Sequence, residues 1–205
     1  MTTEEYLGQN MSAVPDLLVQ LEKETWQKLI NPRMCSGAYQ GRLLSALSKM
    51  IKPKSILELG TFTGYSAICL MEGLALDGKM VSLELNEELS WIHEKYLNDA
   101  RMELRYGNAM ETLPFIALSE VDLVFVDADK RNYMNYLRIL EGGLRSGTWV
   151  LFDNVLWSGK VLEPAVDGDT DTIVLQELNQ YLAQSSMWET IILPIRDGLT
   201  IARRN

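Results

Sequence analysis

Histidine is almost missing from this chain: His93 is the only one in 205 residues. A zinc centre built from several His and Cys ligands is thereby nearly excluded. Cysteine is scarce as well, with only Cys35 and Cys69. No disulfide framework can be drawn from them, and they read as reduced thiols of a cytoplasmic protein, although a bridge between the two stays open. Basic charge is in deficit, 19 Lys and Arg against 28 Asp and Glu, for a net charge of −9. Non-specific nucleic-acid binding leans on Lys and Arg, so this balance speaks against it and leaves only a local basic patch open. No apolar run approaches the roughly 18 residues of a membrane span. The opening MTTEEYLGQN has neither the basic region nor the apolar core of a signal peptide.

The apolar fraction of 47% and charged fraction of 23% are those of a soluble globular protein. The length suits a single domain, residues 1–205, with a helical N-terminal cap over 1–50 and an α/β core over 55–205. Leu17, Leu18, Leu21, Trp26 and Leu29 recur near helical spacing between Pro15 and Pro32. A further helix is expected over Ala38 to Met50, with Leu43, Leu44, Leu47 and Met50 on one face. Between them NPRMCSG is a loop. Spacing alone favours a connector over a lid. His93, among charged neighbours in EELSWIHEKYL, reads as a surface helix residue.

The core opens with a strand, SILELG, then TFTGYSAICL, a glycine turn leading into a helix. Strand, glycine turn and helix form the layout that binds nucleotide-like ligands. The spacing from Glu58 through Gly60 to Gly64 lacks the third glycine of a dinucleotide fingerprint, which weakens a dehydrogenase reading. Glu58 adds negative charge that suits a cationic ligand. The strand KMVSLEL ends at Glu84, 20 residues after Gly64, where an acid commonly holds ribose hydroxyls. A third strand leads into Gly107, Asn108 and Ala109. DLVFVDADK and GTWVLFDN then bring Asp127, Asp129, Asp153 and Asn154 to two more strand ends. In an open parallel sheet those ends line the ligand crevice, and oxygen donors gathered there suit a hard divalent cation. WETIILP and LTIARR, joined by an Asp-Gly turn, predict a hairpin that closes one edge. The alternation predicts a Rossmann-like, doubly wound α/β fold.

ILELGTFTGYSA, SLELN, VDLVFVDADKRNYMNYL and VLFDNVLWSGKV together resemble the cation-dependent class I S-adenosylmethionine O-methyltransferases, over about residues 33–203. That family includes the caffeoyl-CoA and catechol enzymes. PRMCSGAYQGRLLSAL resembles its bacterial members, some of which methylate 5-hydroxyuridine in tRNA. The resemblance implies a mostly parallel seven-stranded sheet with one antiparallel edge strand. It implies that Gly60, with Glu58, Thr61 and Tyr65 of the same loop, holds the methionine part of the cofactor, and Ser66 its carboxylate. Glu84 would take the ribose, and Gly107, Asn108 and Ala109 would border the adenine. Asp127, Asp153 and Asn154 would bind the metal, Asp127 also facing the cofactor amine. Lys130 matches the catalytic base, and Met34 and Ser36 the segment that closes over the cofactor. Trp157, with Arg33, would wall the substrate pocket. Asp129 ranks second to Asp127. A homodimer is implied by analogy. No counterpart appears of the acid that the animal catechol enzymes place beside the second hydroxyl, and EPAVDGDTDT carries no family motif.

The expected chemistry is methyl transfer from a sulfonium to a hydroxyl of a small hydroxylated aromatic acceptor. Mg²⁺ is the expected cation, with Mn²⁺ or Ca²⁺ as substitutes. A phenol with pKa of about 10 is mostly neutral at pH 7, and a cation favours its anion. A tRNA hydroxyuridine methyltransferase is the alternative, favoured by Arg33, Arg42, Lys49, Lys52 and Lys54. A non-catalytic cofactor-binding protein is another.

Overall fold

The computed structural model describes residues 3–205, with side chains from Tyr6 onward. Its helices are α1 (Thr3–Gln9), α2 (Asp16–Lys28), α3 (Gly37–Ile51), α4 (Tyr65–Met71), α5 (Ser90–Tyr96), α6 (Ala109–Thr112), α7 (Tyr133–Gly143) and α8 (Thr170–Gln184). Its strands are β1 (Ser55–Leu59), β2 (Lys79–Glu84), β3 (Met102–Tyr106), β4 (Leu123–Val126), β5 (Trp149–Asp153), β6 (Trp188–Leu193) and β7 (Leu199–Arg204). They form one seven-stranded sheet in the order β3-β2-β1-β4-β5-β7-β6. β1 to β5 pair in parallel. β7 runs antiparallel to both β5 and β6. The hairpin therefore closes the edge as expected, with the reversed strand one place in from it.

Strands covered by helices on both faces need side chains that are apolar on both. LVFV of β4 meets that demand and is buried throughout. One face carries Leu57, Leu59, Val124, Val126 and Phe152 against α7 and α8. The other carries Ile56, Leu123, Phe125 and Leu151 against α2, α3, α4 and α5.

Two expectations about the N-terminal helices change. Leu18 and Leu21 of α2 are buried, whereas Leu17 and Trp26 are exposed. On α3 Leu44 is buried, but Met50 is 78% exposed. Six residues at helical pitch put Met50 about 120° around from Leu44, so it leaves the buried stripe. Helix α3 ends where Lys52 turns left-handed (φ 53°) just before Pro53. Among the described residues no helix is long and apolar enough to cross a membrane.

Register does the positioning. Leu83 pairs with Leu59, Leu59 with Val126, and Val126 with Phe152. The next residues, Glu84, Gly60, Asp127 and Asp153, therefore stand side by side across the sheet edge. Neighbouring strands lie about 4.8 Å apart. The strand order turns back between β1 and β4, which makes this edge the topological switch point.

Candidate active site

The loop after β1 is held from several sides. Gly60 has φ 95°, and a Cβ there would overlap the carbonyl of Asp127. Its glycine is thus required by the neighbouring strand end, beyond any approach of a ligand. The Phe62 N–H donates to Glu84 Oε2 at 2.7 Å, and the Asn86 N–H donates to Glu84 Oε1 at 2.8 Å. His93 Nε2–H donates to the Phe62 carbonyl at 2.5 Å. That leaves Nδ1 to accept from the Tyr106 hydroxyl at 2.8 Å. His93 is 3% exposed, so the surface reading is corrected: its ring ties the glycine loop to β3. Burial pushes its pKa below the ordinary histidine value.

Glu58 does not reach the crevice. It shares the face of Ile56, is fully buried, and accepts hydrogen bonds from Ser66 Oγ at 2.6 Å and from Ser82 Oγ. Burial, opposed by the two serines, pushes its carboxyl up to about 8. The charge expected beside the loop is a buried brace between β1, β2 and α4, and the Ser66 hydroxyl is engaged in it.

The segment over Pro32–Met34 is a short 3₁₀ turn, and it is more than a connector. Met34, Cys35 and Ser36 close a pocket whose other walls are Gly60 to Thr63, Tyr65, Ser66 and Asp127. Two buried hydroxyls of that wall, those of Thr63 and Tyr65, have no hydrogen-bond partner among the described residues. Such atoms invite a polar ligand. Both cysteines are free and buried. Gly107 is left-handed at φ 132°, where a Cβ would make only an ordinary contact with the Thr112 hydroxyl at 3.9 Å, and the Asn108 side chain caps α6 by accepting from the Met110 N–H. Ala109 follows as the first residue of α6.

The acidic strand ends are tied to Lys130 and α7. Lys130 Nζ donates to Asp127 Oδ1 at 2.8 Å, to the Ala128 carbonyl at 3.1 Å and to the Tyr133 hydroxyl at 2.8 Å. Burial pushes the Lys130 ammonium down, but the charge of Asp127, with Tyr133, outweighs it and holds the pKa above the ordinary lysine range. The Tyr133 hydroxyl also sits 3.0 Å from the carbonyls of Val126 and Asp153, bridging the ends of β4 and β5. Tyr133 lies within the stretch VDLVFVDADKRNYMNYL, but the resemblance assigns it no role. Its spacing of three from Lys130, one helical turn, was the available signal. Asp129 accepts from Tyr136 Oη at 2.6 Å and from Asn132 Nδ2 at 2.6 Å, and so serves α7.

Asp153 is 3% exposed, and its Oδ1 has no hydrogen-bond partner among the described residues. Gln40 faces it, but Gln40 Nε2 completes no hydrogen bond either. Burial and the neighbouring Asp127 push the Asp153 carboxyl up to about 7. Asn154 follows in a left-handed conformation (φ 61°) that few non-glycine residues adopt. Two adjacent carboxylates, one with an orphaned buried oxygen, fit a divalent cation with Asn154 as a neutral oxygen donor. Beside them a groove of about 600 Å³ is lined by Ile30, Asn31, Pro32, Arg33, Met34, Asn154 and Trp157. Arg33 and Trp157 thus line one space.

Three of the five residues of the basic cluster are paired, on two carboxylates. Arg42 and Lys49 both pair with Glu72, at 2.5 and 2.6 Å, and Lys54 lies 3.4 Å from Asp77.

Known proteins share this architecture. The caffeoyl-CoA O-methyltransferase 2 of Eucalyptus globulus is 34% identical over 186 residues, covering 83% of this chain and 75% of that protein. An enzyme of the same name from Arabidopsis thaliana, caffeoyl-CoA O-methyltransferase 1, is 33% identical, covering 83% of this chain and 71% of the relative. The Bacillus cereus O-methyltransferase, solved with SAH, superposes with a TM-score of 0.88 at 25% identity, over 98% of this chain and 96% of that one. TomG from Streptomyces achromogenes, an O-methyltransferase of tomaymycin synthesis solved with SAM, gives 0.87 at 25% identity over the whole of both chains. The sequence matches the O-methyltransferase family over residues 9–205, and the chain belongs to that family.

Proposed function

We propose that this chain moves the methyl group of S-adenosylmethionine to one hydroxyl of a small aromatic acceptor with two adjacent oxygens, at a divalent-cation site. The observation that carries the reading is the row of Glu84, Gly60, Asp127 and Asp153 across one sheet edge, with an orphaned Asp153 oxygen beside an aromatic-walled groove. S-Adenosylmethionine is already activated by its sulfonium, so the protein's tasks are alignment and deprotonation.

Glu84 takes the ribose hydroxyls, and its backbone partners at Phe62 and Asn86 keep its carboxylate aimed. Gly107 to Ala109 border the adenine. Met34 and Ser36, with Thr61 and Tyr65, enclose the methionine end, and Asp127 faces its amine. Asp127, Asp153 and Asn154 hold the cation, Mg²⁺ by preference. When bound, it supplies positive charge that favours ionisation of an acceptor hydroxyl. Trp157 packs on the acceptor ring and Arg33 bounds it on the other side, which fixes the oxygen in line with the methyl.

Lys130 takes the acceptor proton. Paired with Asp127 it is an ammonium; when the Asp127 charge is engaged elsewhere, burial favours the neutral amine that accepts a proton. The two free, buried thiols fit a reducing cytoplasmic setting. The exposed Leu17, Val19 and Trp26 of α2 fit self-association as a homodimer.

The aromatic-walled groove beside Asn154 and the net charge of −9 favour a small acceptor over tRNA. The test is a methyl-transfer assay across catechols, acyl-CoA phenols and hypomodified tRNA. Transfer to phenols with adjacent hydroxyls supports the reading. Transfer to tRNA alone overturns the acceptor assignment, and binding of S-adenosylmethionine without transfer to any of them overturns the enzyme assignment.

A further inference from the structure

The turn between β6 and β7 grips both walls of the groove. On one side Arg196, exposed and left-handed at φ 49°, reaches back to the segment over the cofactor pocket. Its Nη1 donates to the Cys35 carbonyl at 3.0 Å, to the Ser36 carbonyl, and to Gln40 Oε1 at 3.2 Å. Its Nη2 donates to the Arg33 carbonyl at 3.3 Å. On the other side Asp197 Oδ1 accepts from the Ser158 N–H. The Asp197 carbonyl accepts from the Leu156 N–H at 2.8 Å, and the Gly198 carbonyl from the Val155 N–H at 3.1 Å. Gly198 has φ 87°, and a Cβ there would collide with Leu156.

The Arg33 and Cys35 carbonyls take no other backbone N–H among the described residues, and the Ser36 carbonyl, which opens the α3 ladder, has a second lone pair to offer. A planar guanidinium fork can bind several such acceptors at once; an ammonium on a flexible stem cannot do so in fixed geometry. Leu156 to Ser158 likewise carries Trp157, itself left-handed at φ 48°. One turn thus fixes the segment that encloses the methionine end of the cofactor, and separately the segment that presents the aromatic wall.

We infer that Arg196 and Asp197 are positioning residues with divided tasks: Arg196 holds the Arg33–Ser36 segment closed over the cofactor, and Asp197 holds Trp157 against the acceptor. The division rests on the cofactor and acceptor reading proposed above. The hydrogen bonds from Arg196 to that segment do not.

The test combines two measurements on the whole protein. Amide hydrogen exchange on the free protein is expected to quicken at Met34 and Cys35 in Arg196→Ala, and at Leu156 and Ser158 in Asp197→Ala, each without the other. Titration of S-adenosylmethionine is expected to give a Kd raised about tenfold in Arg196→Ala, which is about 1.4 kcal/mol. Asp197→Ala is expected to leave that Kd within about twofold, a factor worth only about 0.4 kcal/mol, while raising the KM of a catechol acceptor. Arg196→Lys keeps the charge and loses the fork, and is expected to behave like the alanine variant. Unchanged exchange at Met34 and Cys35 in both Arg196 variants overturns the inference. So does an equal shift of both constants by both turn variants, which is what a merely structural turn would give. If the unaltered protein binds no S-adenosylmethionine, the proposed function fails, and the exchange data still decide the latch.

Discussion

Lys130 Nζ lies 2.8 Å from the carboxylate of Asp127, with both side chains largely buried, at 10% and 19% exposure. Removing one partner of such a pair leaves the other charge uncompensated, at a cost of about 3 kcal/mol. Lys130→Met is therefore expected to lower stability at pH 7 in the absence of divalent cation, and Mg²⁺ is expected to restore part of it. Its kcat should fall at least about 100-fold, the usual scale of general acid–base catalysis. Thermal melts with and without Mg²⁺, together with steady-state kinetics, check both. A variant with full kcat would remove Lys130 from the chemistry.

Asp153 gives the opposite sign. Its carboxylate is buried and crowded by Asp127, and its Oδ1 has no partner among the described residues. In Asp153→Asn the like-charge repulsion disappears, so the cation-free protein should melt at a higher temperature than the unaltered one at pH 8. The same variant should lose the stabilisation that Mg²⁺ confers, and with it methyl transfer. A cation-free Asp153→Asn protein that melts lower at pH 8 would contradict the repulsion argument.

Glu58 makes stability depend on pH. Its folded-state carboxyl is raised to about 8, above the ordinary glutamate value, so the folded protein binds more protons between those two points. The slope of unfolding free energy with pH is then negative: its contribution is complete below the ordinary value and is lost as pH rises through about 8. Glu58→Gln is expected to flatten this decline in melts taken from acid to alkaline pH. An unchanged slope would show that Glu58 ionises freely in the fold.

His93 shows what the sequence concealed. Charged neighbours at Glu88, Glu94 and Lys95 suggested a solvated helix, yet the ring faces inward and joins Phe62 to Tyr106. The partners lie 31 and 13 residues away, so no local pattern announces them. Loss of both bonds in His93→Ala should cost about 1–3 kcal/mol of stability and weaken cofactor binding by loosening the glycine loop. Calorimetric melting and S-adenosylmethionine titration check the two effects, and an unchanged Kd would confine His93 to a packing role.

What was legible follows the same division. Four of the five parallel strands were plain because each is a short, mainly apolar run ending at a glycine or an acid, whereas β3, MELRY, is marked chiefly by the Gly107 that follows it; the pairing of the strands then aligns Glu84, Gly60, Asp127 and Asp153. Residue type also suggested the oxygen-rich strand ends. Glu58 was misplaced because strand alternation, rather than proximity to the glycine loop, decides where its side chain points. Arg196 and Gln40 were invisible for a different reason: their partners are backbone carbonyls and a strand end more than a hundred residues away, contacts that leave no spacing to read.

The central claim is that the paired acidic strand ends serve methyl transfer through a bound cation. The most direct measurement follows radiolabel from methyl-labelled S-adenosylmethionine into a catechol, with Mg²⁺ and then with a chelator, while circular dichroism monitors the fold. The account predicts transfer with Mg²⁺, loss of transfer on chelation with the fold unchanged, and recovery when Mg²⁺ is returned. Transfer that continues undiminished in chelator would contradict it.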